Sequence, residues 1–416
     1  MKSIIIFIGV VFCLLMPKTS YSQQELRDYL KTAAQNNPGL KAKFRDYLAA
    51  VEIVPQVGAL PDPVVAFGYY VSAVETRVGP QRFRASAAQP FPWPGLLGAK
   101  EDVATEMAKS KLEAFEDAKS KLFYDVKSTY YNLYFLQKGI DITVENMDIL
   151  NTFKQLALIK LEAGQASAVD ELRVEMEIAD LENQLAFLQD SKYEMQVRFN
   201  NLLNVDGQNP VIIPDVLWED EPTLQRSELM DSIAVQNHRI KQIEHRILSW
   251  DSQKTVADKM GMPKFIVGFS YATVNKRNKA DFKGSGNGKD ALMLPQVGVT
   301  IPLYRKKYRA MVQEATLHMA AAEFEKEDKI NQLSTLFERG YKDFRDGNRR
   351  VTLYENQLKL AKQALDILLA EYSTDSKDFE EVLRMERKAL KYELELDKAR
   401  ADKNAAVAFI YYLMGN

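Results

Sequence analysis

The chain is written twice. "PDPVVAFGYYV" at 61–71 aligns without a gap on "PKFIVGFSYAT" at 263–273, pairing Pro61 with Pro263, Val65 with Val267, Phe67 with Phe269 and Tyr69 with Tyr271, an offset of 202. "RASAAQPF" at 84–91 aligns on "QVGVTIPL" at 296–303 at an offset of 212, so the second hairpin loop is ten residues longer. Each extended pair ends in a stiff corner that opens a helical pattern: "QPFPWPGLLGAK" at 89–100 and "IPLYRKKYRA" at 301–310. A duplication that carries strands, corners and helices alike confines the fold to two copies of one element order.

The helical parts repeat at an offset of 211. Val174, Ile178, Leu181, Leu185, Leu188, Lys192, Met195, Phe199 and Leu202 form a seam that steps by four and three. Its image is Met385, Ala389, Tyr392, Leu396, Ala399, Lys403, Ala406, Ile410 and Leu413. A spacing of 3.5 residues is that of coiled-coil packing. Leu172, Met176, Ala179, Asn183 and Ala186 make a second seam on a neighbouring face, so this helix is expected to have partners on two sides. The pattern predicts helices near 25–58, 99–162 and 168–204 in the first half and near 224–258, 308–372 and 378–414 in the second. The strands fall near 63–74, 82–91, 264–275 and 291–303. At the rise of an α-helix the long helices span about 95 Å and the shorter ones about 55 Å.

In the third strand Phe265, Val267, Phe269 and Tyr271 face one way, and Gly268, Ser270 and Ala272 the other. The fourth repeats this with Val297, Val299, Ile301 and Leu303 against Gln296, Gly298 and Thr300. Such alternation suits a tilted transmembrane β-strand or the edge of an ordinary sandwich. The amino-terminal residues favour the membrane. Residues 1–22 read as a secretory signal, with Lys2, an apolar run from Ile4 to Met16 and a small-residue cleavage site near Ser22. Its removal takes away Cys13, the one cysteine, and with it any disulfide or thiolate metal site. Four strands cannot close a barrel, and an open edge in hydrocarbon leaves backbone groups unpaired, so chains are expected to pool their strands. Phe91, Trp93 and Tyr304 at the corners then fall at interface depth. A net charge of -2 and a pI near 6.1 argue against a nucleic-acid partner.

On "NNPGLKA" (36–42), "LPDPVVAFGY" (60–69), "QPFPWPG" (89–95), "LEAGQASAVDELRVEMEIADLENQL" (161–185) and "VGVTIPLYRKKYRAMVQEA" (297–315), the chain resembles the TolC-like outer-membrane efflux factors. The "LPDP" and "PFPWPG" pair looks closest to the branch that serves heavy-metal exporters of the resistance-nodulation-division type. The resemblance implies a mixed, mostly α fold: a duplicated, long coiled-coil helical barrel with a four-strand contribution to an oligomeric transmembrane β-barrel. It further implies a homotrimer with a 12-stranded barrel in the outer membrane of a Gram-negative bacterium and a tunnel through the periplasm. A periplasmic adaptor joins the tunnel to an inner-membrane pump. The chain divides into a signal peptide at 1–22, a first repeat at 23–215 and a second at 216–416. Function is a passive exit duct for metal ions or small toxic compounds, neither an enzyme nor a cofactor binder. A type I protein-secretion duct and a soluble periplasmic coiled-coil scaffold are the alternatives.

By the same resemblance the helix-hairpin tips are the gate and the adaptor contact: Gly164, Gln165, Ala166 and Ser167, and Ser373, Thr374, Asp375 and Ser376. Asp375 stands where the family commonly has glycine. Just inside the tips, Asp170, Asp378, Glu380 and Glu381 are either acidic rings at a narrow end or first-turn acids stabilised by the helix dipole, with Ser167 or Ser376 as caps. Arg82 and Arg84 fall on the small-residue face of strand two and point either into a barrel lumen or toward the interface. His238 and His245 stand seven apart, too far along one helix to share an ion, and His318 lies on another helix. Met260 and Met262 read as apolar packing at a corner, with soft copper ligands as the alternative. "GSGNGKD" at 284–290 links two strands and lacks the residues of a phosphate loop, so it reads as a polar extracellular loop.

Overall fold

The computed structural model describes residues 21–164, 167–276, 288–374 and 379–416. The element order is α1 (Tyr21–Asn36), α2 (Pro38–Val51), α3 (Ile53–Gly58), β1 (Val64–Thr76), β2 (Gly79–Phe91), α4 (Leu96–Glu162), α5 (Ala168–Leu203), α6 (Arg226–Gln236), α7 (His238–Met260), β3 (Lys264–Val274), β4 (Ala291–Thr300), α8 (Arg305–Thr374) and α9 (Phe379–Leu413). The mostly helical chain with one four-strand sheet is the fold class the sequence predicts. Residues 1–20, which hold the core of the expected signal peptide, lie outside the described residues.

Two helices expected to be continuous are broken, the first at Asn37 and again at Glu52, the second at Asn237. The pattern over 25–58 becomes α1 to α3, and that over 224–258 becomes α6 and α7. At the first break Pro38 lacks an N–H and disfavours helix at Asn37, whose Oδ1 instead accepts from the Leu40 N–H at 3.0 Å. Asn37 Nδ2 donates to the carbonyl of Leu202 at 3.0 Å, at the end of α5. In the other half Asn237 takes an extended ψ of 124°. Its Nδ2 donates to Leu413 O at 2.8 Å, at the end of α9. Leu202 and Leu413 are the two images of one seam position. Each half therefore uses an asparagine at a helix break to satisfy a carbonyl at the end of its shorter long helix.

The described residues form two compact units, each with segments from both halves of the duplication. One takes in residues up to Ala42, Phe115–His238 and Ile330–Asn416; the other holds Lys43–Ala114 and Arg239–Lys329. In the first unit an aromatic core is built on successive turns of α4. Tyr130, Tyr131 and Tyr134 are fully buried with Phe199 and Leu203 of α5 and Leu217 of the segment that follows it. Their hydroxyls are all satisfied, as buried tyrosines require: Tyr130 donates to Ile212 O at 3.2 Å, Tyr131 to Asp220 Oδ2 at 3.2 Å and Tyr134 to Asp397 Oδ1 at 2.8 Å.

The segment between α5 and α6 is thereby strapped to α4, and α9 holds it as well. Asn404 Oδ1 accepts from the Asp220 N–H, and its Nδ2 donates to Trp218 O. Lys403, 1% exposed, reaches Glu219 at 2.8 Å and Glu221 at 3.5 Å. The polar intruder shared by the two seams thus has different partners, since Lys192 donates to Gln137 on α4. Close packing of α8 on α9 relies on glycine: a Cβ on Gly347 would sit 3.0 Å from the Lys403 Cα.

A second core of this unit surrounds the ends of the hairpins. Phe153 and Ala157 of α4, Val174 and Leu181 of α5, Tyr372 of α8 and Phe379 and Leu383 of α9 are all buried there. The first expected seam is thus inside, whereas Leu172 and Met176 of the second are exposed. So are Leu353, Leu360 and Ile367 on α8, one heptad apart. Each stripe is an apolar face that the single chain leaves uncovered.

Candidate functional site

The sheet lies in the second unit and has strand order β1-β2-β3-β4, antiparallel throughout. Residues paired across strands share a face. Register places Phe67, Ala85 and Tyr271 in one row and Val65, Ala87 and Phe269 in another. Gln89, Val267 and Val297 form a third, and Phe91, Phe265 and Val299 a fourth. This face is apolar apart from Gln89 and Thr273, and open: Phe67 is 73% exposed, and Phe269, Val297 and Val299 are exposed with it. A contiguous patch of this kind on a water-facing surface marks an interaction with protein or lipid.

The opposite face carries mainly small and polar side chains, with Val64 and Ile266 as its large apolar members among the paired residues. Gly68, Arg84 and Ala272 make one row; Ala66, Ser86 and Ser270 the next; Ala88, Gly268 and Gln296 a third. Across it Ser270 Oγ accepts from Gln296 Nε2 at 3.2 Å and from Arg84 Nη2 at 3.5 Å, which joins β2, β3 and β4 by side chains. Arg84 thus stands on the small-residue face, as the alternation predicts. Arg82 falls at a register shift, because Gln81 pairs with Val274 and Phe83 with Thr273, leaving one residue in excess on β2. Alternation therefore does not assign Arg82 to either face. β1 and β4 are the two edges of the sheet.

The proline-rich corner turns at Gly95, whose φ of +78° is a left-handed conformation that favours glycine. Leu96 N–H donates to Trp93 O at 3.0 Å and α4 begins. The Trp93 ring stacks on Phe265 with centroids 6.2 Å apart, tying the corner to β3. At the second corner Tyr304 is 83% exposed, and Arg305 donates to Gly261 O at 3.2 Å.

At the first hairpin tip Gly164, with φ +71°, follows the end of α4 at Glu162, and Ser167 caps α5. Ser167 Oγ accepts from the Val169 N–H at 3.2 Å, and Asp170 Oδ2 accepts from the Ser167 N–H at 3.3 Å. Asp170 is therefore a capping-box acceptor. Arg173 gathers it with a second predicted acid: its guanidinium lies 3.5 Å from Asp170 and 3.1 Å from Glu380 on α9. Glu381 is paired with Arg384 one turn on. Lys160, buried at the end of α4, donates to the Tyr372 carbonyl and lies 4.2 Å from the centre of the Tyr372 ring. Ser373 and Thr374 close α8. Gln165, Ala166, Asp375, Ser376 and Asp378 lie outside the described residues.

Arg173, Arg384 and Lys160 were not singled out by the sequence reading. The signal for the arginines was there, because Asp170 to Arg173 and Glu381 to Arg384 are spaced by three residues, neighbours on a helix face. Nothing local marks Lys160, whose partner is 212 residues away.

The three histidines have separate partners. His238 contacts Gly415 O at 3.0 Å, His245 Nδ1 contacts Glu106 Oε2 at 2.8 Å, and His318 stacks on Trp250 with centroids 4.3 Å apart. Met260 packs against Leu96, Ala99 and Val256, while Met262 is exposed. Among the described residues no group of three or more His, Cys, Asp or Glu is placed to hold a metal ion. None of their helices is long and apolar enough to cross a membrane. Residues 284–287 of the loop that mimics a phosphate site are outside the described residues.

No family model matches the chain, and no curated protein matches it by sequence. Solved structures do match it by fold. CusC, whose structures are described in terms of transmembrane channel formation, superimposes with a TM-score of 0.78 at 16% identity over 94% of this chain and 92% of that one. The outer membrane protein VceC of Vibrio cholerae gives 0.75 at 17% identity over 94% and 97%. The open state of the MtrE outer membrane channel of Neisseria gonorrhoeae gives 0.74 at 16% identity over 94% and 89%. The chain has the fold of these TolC-like outer-membrane channels.

Proposed function

We propose that this protein is the passive outer-membrane exit duct of a tripartite efflux system. Three copies supply four strands each to one barrel, and their helices form a tunnel in the periplasm. The observation that carries the reading is the sheet: one exposed apolar face, one small and polar face, and two open edges. Hydrocarbon tolerates such strands only when the barrel is closed. With four antiparallel strands, β4 of one copy meets β1 of the next in antiparallel sense, so copies add without breaking the pattern. The apolar face then meets lipid, and Arg84, Ser270 and Gln296 line the lumen. The uncovered stripes on α5 and α8 supply the helical contacts between copies.

The tips from Gly164 to Ser167 and from Ser373 to Asp378 are the adaptor contact and gate, through which a periplasmic adaptor joins the duct to an inner-membrane resistance-nodulation-division pump. Asp170, Asp378, Glu380 and Glu381 are the gate acids. The ion pairs to Arg173 and Arg384 support a closed tip held by arginine. Cargo is metal ions or small toxic compounds.

Electron microscopy of the chain purified in mild detergent tests the duct. A threefold tube with a detergent belt at one end is the expected result. Monodisperse rods with no belt would sink it and leave the periplasmic scaffold. Deletion of the gene separates cargoes: sensitivity to metals or toxic compounds is expected, whereas loss of one secreted protein without sensitivity would point to type I secretion.

A further inference from the structure

The charges of the sheet are sorted by face and by sign. Among the paired residues 64–69, 83–91, 264–273 and 296–300, the charged side chains are Arg84 on β2 and Lys264 on β3. Both are cations, and alternation puts both on the small-residue face. No carboxylate stands on either face of that stretch.

Arg84 is exposed and shares its row with Gly68 and Ala272, so no large side chain from a neighbouring strand covers it. Its partner is neutral: Nη2 donates to the Oγ of Ser270, a buried hydroxyl that also accepts from Gln296. Among the described residues no carboxylate is paired with Arg84. One corner of the guanidinium is therefore held, and its other N–H groups are left to donate elsewhere. Lys264 lies at the corner end of β3, where Asp62, just before β1, is a nearby charge of opposite sign in the sequence order. Arg84 has no such counterpart, so it carries the inference.

Depth separates Arg84 from an arginine that anchors at a membrane surface. It lies about 23 Å along β2 from Phe91 at the corner, at the rise of a β-strand. Tilted as in a membrane barrel, that is about 17 Å of height inside an apolar band about 25 Å tall. A guanidinium at that level on the lipid side is costly, whereas on the face of Ser270 and Gln296 it meets water in a lumen. Rings of arginine or lysine in a pore favour anions, as rings of acids favour cations.

We propose that Arg84 determines the charge preference of the barrel: three copies set a ring of guanidinium groups in the lumen that binds small oxyanions and passes anions ahead of cations. This rests on the duct reading and narrows its cargo, favouring small anionic compounds over bare metal ions. The two ends of the duct are then opposite in sign, acidic at the helix tips and cationic in the barrel.

The test uses the full chain, purified in mild detergent and placed in planar bilayers, with inorganic tripolyphosphate added on the barrel side as the probe. Tripolyphosphate should block the current of the natural chain. Arg84→Gln should raise the concentration needed by about tenfold and move the reversal potential in a potassium chloride gradient toward cations, while Arg84→Lys keeps both properties. Equal block of the natural chain and Arg84→Gln, or a block that only Lys264→Gln relieves, overturns the proposal. Should Arg84→Gln fail to insert, the natural chain and Arg84→Lys decide, since absence of block in them overturns it as well. A chain that forms no channel removes the duct reading and this proposal together, whereas channels indifferent to the charge at Arg84 overturn the proposal alone.

Discussion

Side chains that period and pattern do not single out set the electrostatics of the helical unit. Glu386 is buried, and its folded-state pKa lies above that of an unfolded glutamate. The native state therefore loses stability as pH rises through that value, and the loss is absent below the unfolded value of 4.5. Glu386→Gln removes the buried charge but leaves amide N–H groups without an acceptor where the unpartnered Oε2 stood, so it should favour the folded protein more at pH 8 than at pH 4. Chemical denaturation at the two pH values checks this, and equal effects would count against it. At the tip, Arg173→Ala combined with Arg384→Ala removes the counter-charges of Asp170, Glu380 and Glu381. On the gate reading, single-channel recordings in planar bilayers should show greater conductance and stronger cation preference. Unchanged currents would mean that these acids only start their helices, as Asp170 does in its capping box.

Elements are held at their ends and by close approach. Asn237 is buried, whereas Asn37 is half-exposed, and each donates to a carbonyl at the end of a long helix. Removing a buried donor leaves a carbonyl unsatisfied, which costs about 1–3 kcal/mol. Asn237→Ala should therefore lower the melting temperature more than Asn37→Ala, which alters a half-exposed site; the reverse order in a thermal melt would count against this. Gly347→Ala should destabilise despite the gain of roughly 1 kcal/mol in helix propensity. Its Cβ would approach the backbone of α9 at Lys403, and backbone cannot swing away as a side-chain tip does. A variant that melts higher than the natural chain would show that α8 and α9 are free to separate.

For the whole molecule, the two faces of the sheet make opposite predictions. A charge at Phe269, on the apolar face, costs about 2–4 kcal/mol if that face meets the bilayer midplane. Phe269→Arg should abolish membrane insertion, measured as the fraction recovered in outer membranes, whereas Arg84→Ala should insert normally and alter conductance. Normal insertion of Phe269→Arg would mean that lipid does not cover this face. The sequence by itself determined the element order, the buried seam and the two faces of the sheet. Each follows from a period of two or 3.5 residues, or from a Pro and Gly corner, and such signals lie within a few residues of one another. The tip at Gly164 and Ser167 came from the family resemblance; the left-handed backbone of Gly164 and the cap at Ser167 are what the structure adds there. What only the tertiary structure decided is pairing across long separations. The breaks at Asn37 and Asn237, the bulge that takes Arg82 out of alternation, the straps from Lys403 and Asn404, and the orphan oxygen of Glu386 depend on which side chain arrives opposite. Periodicity states which face of a helix is buried; the atom that meets a polar group inside that face is fixed only when distant helices pack.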